Sequence, residues 1–154
     1  MAKGEEVSGL SPDLEAAKSE TDSEPGKRNP EEALAASLRA FVERVPGARG
    51  ATVADRNGLT IASTFPSASD VGLGSAMATV IARASHSVLD SVGGDRFLWV
   101  VLEGAMNKIV VCDVSEGLGT LILVLGPEGD LDAAKRELIR TAMEITTILD
   151  LDVA

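Results

Sequence analysis

The sequence predicts an α/β domain of the α+β kind, an αββαβββα sandwich in which a five-stranded antiparallel sheet carries helices on both faces. Three observations predict it. Apolar residues recur at helical spacing in three separate segments, an Asn-Gly turn joins two runs of small and β-branched residues, and three further apolar runs follow one another across short turns. In the first and last of those three runs both alternate faces are apolar, as a sheet covered on both sides requires.

The first helix is expected to start at Pro30. Asn29 can cap it, Pro30 suits the first helical position, and Glu32 stands where a capping-box acid reaches back. Leu34, Leu38, Phe41 and Val45 then form one face, and Pro46 and Gly47 stop the helix. Gly50–Asp55 and Leu59–Thr64 read as antiparallel strands joined through Arg56, Asn57 and Gly58. Ser67–Asp70 introduce a long helix running to about Val92, with Leu73, Met77, Val80, Ile81, Ala84 and Val88 as a wide apolar stripe, and Gly93 and Gly94 end it. Phe97–Glu103, Lys108–Val114 and Thr120–Leu125 follow as a meander, broken at 104–107 and 115–119. A last helix, capped by Asp130, runs from Leu131 to about Leu149 with Leu131, Ala134, Leu138, Ala142, Ile145 and Leu149 on one side.

A chain of 154 residues has room for one buried core. Residues 1–29 are rich in Glu, Ser, Lys, Asp, Gly and Pro and have the composition of a disordered acidic arm, which leaves 30–154 as the folded domain. With four basic and seven acidic residues the arm carries −3 of the total charge of −10, so the domain is acidic in its own right. That sign repels phosphate backbones and anionic headgroups, which excludes nucleic acid as a partner. Apolar stretches fall short of the roughly 20 residues that span a bilayer, so no membrane insertion is expected. Met1–Leu10 contains Glu5 and Glu6 and no apolar block, so no secretory signal is read and the cytoplasm is the default compartment.

Reactive chemistry is sparse. The single histidine, His86, shares a helical face with Thr79, Arg83 and Asp90 and reads as a solvated partner of Asp90 or a contact to another protein. No second histidine or nearby nucleophile completes a triad or a metal set. Cys112, alone and in mid-strand, reads as a small buried hydrophobe. Asp130 and Asp132 stabilise a helix N-terminus, and Gly72 with Gly74 lacks the lysine or third glycine of a nucleotide loop. At the turn Ser115-Glu116-Gly117 a carboxylate stands where an anion would dock. No catalytic residue, metal or cofactor is expected.

Two surfaces look made for pairing. Gly74, Ala78, Ala82 and Ser85 repeat at three- and four-residue intervals, which would let another helix approach closely, or would let this helix lie flat on its own sheet. The run Phe97-Leu98-Trp99-Val100-Val101-Leu102 holds no Lys or Pro to protect an exposed edge, so it either pairs with a two-fold mate or lies inside the sheet.

The stretch Val45-Pro46-Gly47-Ala48-Arg49-Gly50-Ala51-Thr52-Val53-Ala54-Asp55-Arg56-Asn57-Gly58-Leu59, followed by Ile61-Ala62-Ser63, resembles the Roadblock family, named for a dynein light chain. An Ala-rich long helix, a three-strand meander and a closing helix continue the likeness over residues 30–154, in a layout that longin and profilin-like folds share in part. The resemblance implies a homodimer or heterodimer formed through the long helix and the third strand, giving a ten-stranded sheet. It also implies a role as regulator or scaffold of a Ras-like small GTPase, some members being GTPase-activating. On that likeness Gly74, Ala78, Ala82, Ser85, Phe97, Trp99 and Val101 would form the dimer interface, and Thr79, Arg83, His86 and Asp90 would face the GTPase. An arginine finger at Arg83 is disfavoured, because a helix holds the side chain too short of a nucleotide site. The rival class is a small-molecule-sensing module, which needs an apolar cavity with convergent polar groups. The heavily apolar strands and helices, with few polar groups such as Thr120 and Cys112 to converge, argue against that cavity.

Overall fold

The computed structural model describes residues 29–66 and 68–153, so the arm expected over 1–29 lies, Asn29 apart, outside the described residues. The elements run α1 (Pro30–Arg44), β1 (Ala48–Asp55), β2 (Thr60–Ser63), α2 (Ala68–Ser91), β3 (Trp99–Glu103), β4 (Lys108–Val114), β5 (Gly119–Leu125) and α3 (Leu131–Val153). The antiparallel sheet has the order β2-β1-β5-β4-β3, which puts β5 at its centre and β3 at one edge.

Local chemistry starts α1 and α3 and forms the β1–β2 turn where the sequence places them. The Asn29 side chain accepts the Glu31 N–H at 3.0 Å, and the Asp130 carboxylate accepts the Ala133 N–H at 3.0 Å, each satisfying an orphan donor of a helix N-terminus. In the hairpin the Asp55 carboxylate accepts the N–H groups of Asn57 and Leu59, at 2.8 and 3.0 Å, while Gly58 takes the left-handed φ of 87°.

Strand alternation then divides the core. On one face Val53, Val110, Cys112, Val114, Leu121, Leu123 and Leu125 pack with Leu34, Leu38 and Phe41 of α1 and Ala134, Leu138 and Ile145 of α3. On the other, Val111 and Ile122 meet Ala78 and Ala82 of α2. The first face fills with large side chains because two helices share it. The second closes with small ones because one helix lies close against the strands.

Of the two readings of the small face of α2, the chain takes the one in which the helix lies flat on its own sheet. The small residues Ser75, Ala78, Thr79 and Ala82 are buried against the chain's own sheet, whereas Met77, Val80 and Val88 of the apolar stripe point outward, between 52% and 62% exposed. The buried hydroxyls are paired: Thr79 Oγ1 donates to the Ser75 carbonyl at 2.9 Å, and Ser75 Oγ lies 2.8 Å from Thr60 Oγ1. Strand β3 is also shorter than the apolar run, because Phe97 leaves the sheet and turns under α2. The last helix, expected to end near Leu149, continues to Val153.

Candidate interaction surface

Strand β3 pairs with β4 from Trp99↔Cys112 to Glu103↔Lys108, and no described strand lies on its other side. Trp99 and Val101 turn toward α3 and Val100 toward α2, so the edge offers backbone hydrogen-bonding groups between two apolar faces. Leu98 and Leu102 are exposed at its two ends.

Beside this edge α2 and the sheet leave an apolar groove of about 430 Å³ between them. Leu102, Ile109, Val111 and Val124 line its floor, and Gly74, Met77 and Ile81 its rim. A Cβ added at Gly74 would meet nothing within 4 Å. The small side chains of α2 cover less of the sheet than large ones would, which leaves this groove open and almost wholly apolar. Thr52 and Ser75 are the polar side chains that reach this groove, while Thr120 lies buried under α2 and Cys112 on the opposite face.

The residues expected to pair divide accordingly. Ala78 and Ala82 are spent on the chain's own core, as is Phe97, so none of the three is available to a second copy. Gly74 is exposed and Ser85 half-buried on the flank nearer the groove, and Trp99 and Val101 sit on the edge strand. Of the four residues expected to face a GTPase, Thr79 is buried and unavailable. Arg83 and Asp90 are exposed on the flank away from the groove, where the Arg83 guanidinium donates to the Arg56 carbonyl of the hairpin turn. His86 pairs with Asp113 of β4, Nε2 to Oδ2 at 2.6 Å, and packs edge-on to Phe97 at 5.1 Å, so its partner is not Asp90. That pairing spans 27 residues of chain, and local helical spacing could not have shown it.

Sequence reasoning missed the outward face of α2 and the exposed ends of the edge strand. The alternation of small and large residues around α2 was visible, but either face could have met the sheet.

Cys112 is buried, and its thiol is pushed well above its ordinary value of 9.0 by burial first and by the Asp113 charge second, against a smaller opposing hydrogen bond from the Leu121 backbone. Since the thiolate is the nucleophile, native protein is expected to resist maleimide at pH 8 and to react fully once unfolded. Above about pH 9 the unfolded chain loses this proton and the folded chain keeps it, so stability falls as pH rises, by up to about 1.4 kcal/mol per pH unit. Denaturant melts between pH 8 and 10 should show that slope, and Cys112→Ala should remove it.

Among the described residues no group of three or more His, Cys, Asp and Glu is placed to hold a metal ion, and no helix is long and apolar enough to cross a membrane. A five-stranded antiparallel sheet in this strand order, with α1 and α3 on one face and α2 on the other, defines an α+β domain of the Roadblock type. The sequence model of the Roadblock/LC7 domain matches residues 34–125, more than half of the chain, and the chain belongs to that family.

Solved structures agree on the fold. A Roadblock/LC7 domain from Streptomyces avermitilis superposes with a TM-score of 0.68 at 20% identity, over 78% of this chain and 98% of that one. The gliding protein MglB from Thermus thermophilus gives 0.69 at 23% identity, over 81% and 96%. An MglB in a tetrameric arrangement gives 0.71 at 23% identity over the same shares. Comparison with curated protein sequences returns no match.

Proposed function

We propose that this chain is a non-catalytic cytoplasmic regulator that forms a homodimer through β3 and α2 and, as a dimer, binds and regulates or scaffolds a Ras-like small GTPase. One observation carries the reading: an edge strand without a described neighbour lies beside a helix that turns Met77, Val80 and Val88 away from its own sheet. Two-fold pairing of β3 extends the sheet across two copies and satisfies the free backbone groups. It also brings the second α2 over the groove, where Gly74 permits close approach and Ser85 lies on the same flank. An MglB in a tetrameric arrangement supports self-association among proteins of this fold. Trp99 and Val101 then meet their counterparts on the α3 face.

The GTPase docks on the other flank of α2, with Arg83, Asp90 and the His86–Asp113 pair as its polar contacts. Because the Arg83 guanidinium is already bound to the Arg56 carbonyl, any effect on hydrolysis comes from repositioning the GTPase's own switch segments. Arg83→Ala is accordingly expected to weaken binding without abolishing stimulated turnover, and loss of stimulation at saturating regulator would restore the finger.

Light scattering on a sizing column tests the pairing. Wild type should run as a dimer at micromolar concentration and Trp99→Lys as a monomer, and a wild-type monomer defeats the reading. The apolar groove favours one second reading, a site for a small apolar ligand. An environment-sensitive apolar dye separates the two: binding only to the Trp99→Lys monomer means that the mate covers the groove, while binding to the intact dimer favours the ligand.

A further inference from the structure

Helix α3 carries a second apolar surface, on the side turned away from the sheet. Ile139 and Met143, one turn apart, are 52% and 67% exposed, and Arg136 and Arg140 stand beside them. Arg140 reaches Glu144 at 3.5 Å and Glu137 at 3.9 Å, while Arg136 makes no ion pair among the described residues. In a chain with a net charge of −10 this is a local basic and apolar strip.

The strip has a path to the start of the domain. Helix α1 packs antiparallel to α3: Ser37 Oγ donates to Glu144 at 3.0 Å, and Arg44 reaches Glu137 at 2.5 Å and Thr141 at 3.1 Å. The start of α1 therefore lies at the far end of α3. A shallow depression lined by Ala33, Ser37, Glu144 and Thr147 runs there, and it shares Glu144 and Thr147 with the depression formed by Arg136, Ile139, Arg140 and Met143. Residues 1–28 join the described fold at Asn29, where this path begins.

We propose that the N-terminal segment occupies the outer face of α3 of its own chain, Leu10 and Leu14 covering Ile139 and Met143 while its acids face Arg136 and Arg140. Between Gly4 and Gly26 the segment has seven acidic residues and a single Lys18, and Val7, Leu10 and Leu14 are the large apolar residues there. Charge and apolar spacing both complement the strip. Reach is sufficient: Leu14 to Asn29 spans about 50 Å extended or about 22 Å as helix, against about 12 Å from Thr147 back to Ile139 along α3. Ile139 and Met143 also border the hollow beside Leu98 and Trp99, so the covered strip adjoins the β3 edge.

Methionine footprinting with hydrogen peroxide on the full chain tests it. In wild type Met143 should oxidise at least threefold more slowly than Met106, whose exposure in the domain is similar at 63%. In Leu10→Asp/Leu14→Asp, which alters no residue of the domain, the two should oxidise at the same rate. Equal rates in wild type, or slow oxidation of Met143 in both proteins, overturn the proposal, the latter meaning that something else covers α3. A second measurement separates own chain from neighbour: Leu14→Cys/Met143→Cys, mixed with isotope-labelled copies and treated with a bis-maleimide, should link within single chains. Links found only between labelled and unlabelled chains also overturn it.

Discussion

Replacing both Met77 and Val80 by aspartate should leave a folded monomer, whereas Ala82→Asp should leave no folded protein. The three residues lie on one helix, and only the side they face differs. Met77 and Val80 are more than half exposed, so in the single chain their replacement removes little burial and should cost within about 0.5 kcal/mol each. In a dimer closed over this face each would be buried, at roughly 1.5–3 kcal/mol per side chain, and a buried unpaired carboxylate costs more. A combined loss above about 4 kcal/mol weakens dimerisation roughly a thousandfold.

Ala82 is 3% exposed and packs in the cluster with Val111 and Ile122, where a carboxylate finds no partner and no room. Its desolvation takes several kcal/mol from a total stability of about 5–15 kcal/mol. Light scattering with thermal melts by circular dichroism distinguishes the outcomes. A dimeric Met77→Asp/Val80→Asp protein, or an Ala82→Asp protein that melts like wild type, would show that the faces of α2 are assigned wrongly.

That contrast marks what the chain discloses before it folds. Elements limited by local chemistry were legible: the Asn29 cap, the Asp55 turn with Gly58, and the Leu34-Leu38-Phe41 face all lie where spacing puts them. The five-stranded sheet followed too, because the doubly apolar β5 must have helices above and below it. What sequence could not resolve was which side of α2 meets the strands. Its apolar stripe is the better core by hydropathy, but the opposite face, with Ser75, Ala78, Thr79 and Ala82, lets the helix backbone come nearer. Hydropathy therefore selects the wrong face for this helix. The His86–Asp113 pair and the exit of Phe97 from the strand escaped for another reason, since both depend on where β4 passes beneath the end of α2.

Gly47→Ala should lower stability by about 3 kcal/mol or more, a large effect for one methyl group. Gly47 follows α1 with a φ of 80°, where an L side chain costs roughly 1–2 kcal/mol before any contact is counted. Its added Cβ would also lie 2.5 Å from the Gly129 Cα and 2.8 Å from the Gly129 N, both backbone atoms that cannot rotate aside. The two loops are tied here by Gly126 N–H donating to the Gly47 carbonyl at 2.9 Å and Asp130 N–H donating to the Pro46 carbonyl at 3.0 Å. Separating them sacrifices those bonds, each worth about 1 kcal/mol. Gly129 cannot yield by moving the other way, because its own Cβ position lies 2.6 Å from the Leu125 Cβ of the central strand. The crossing sets the start of β1 against the end of β5 and the cap of α3 against both, so strain at this point spreads through the α1 and α3 side of the core. A chemical denaturation midpoint read by far-UV circular dichroism checks the magnitude. Loss of less than about 1 kcal/mol would mean that the 126–130 loop can withdraw freely and does not anchor α3.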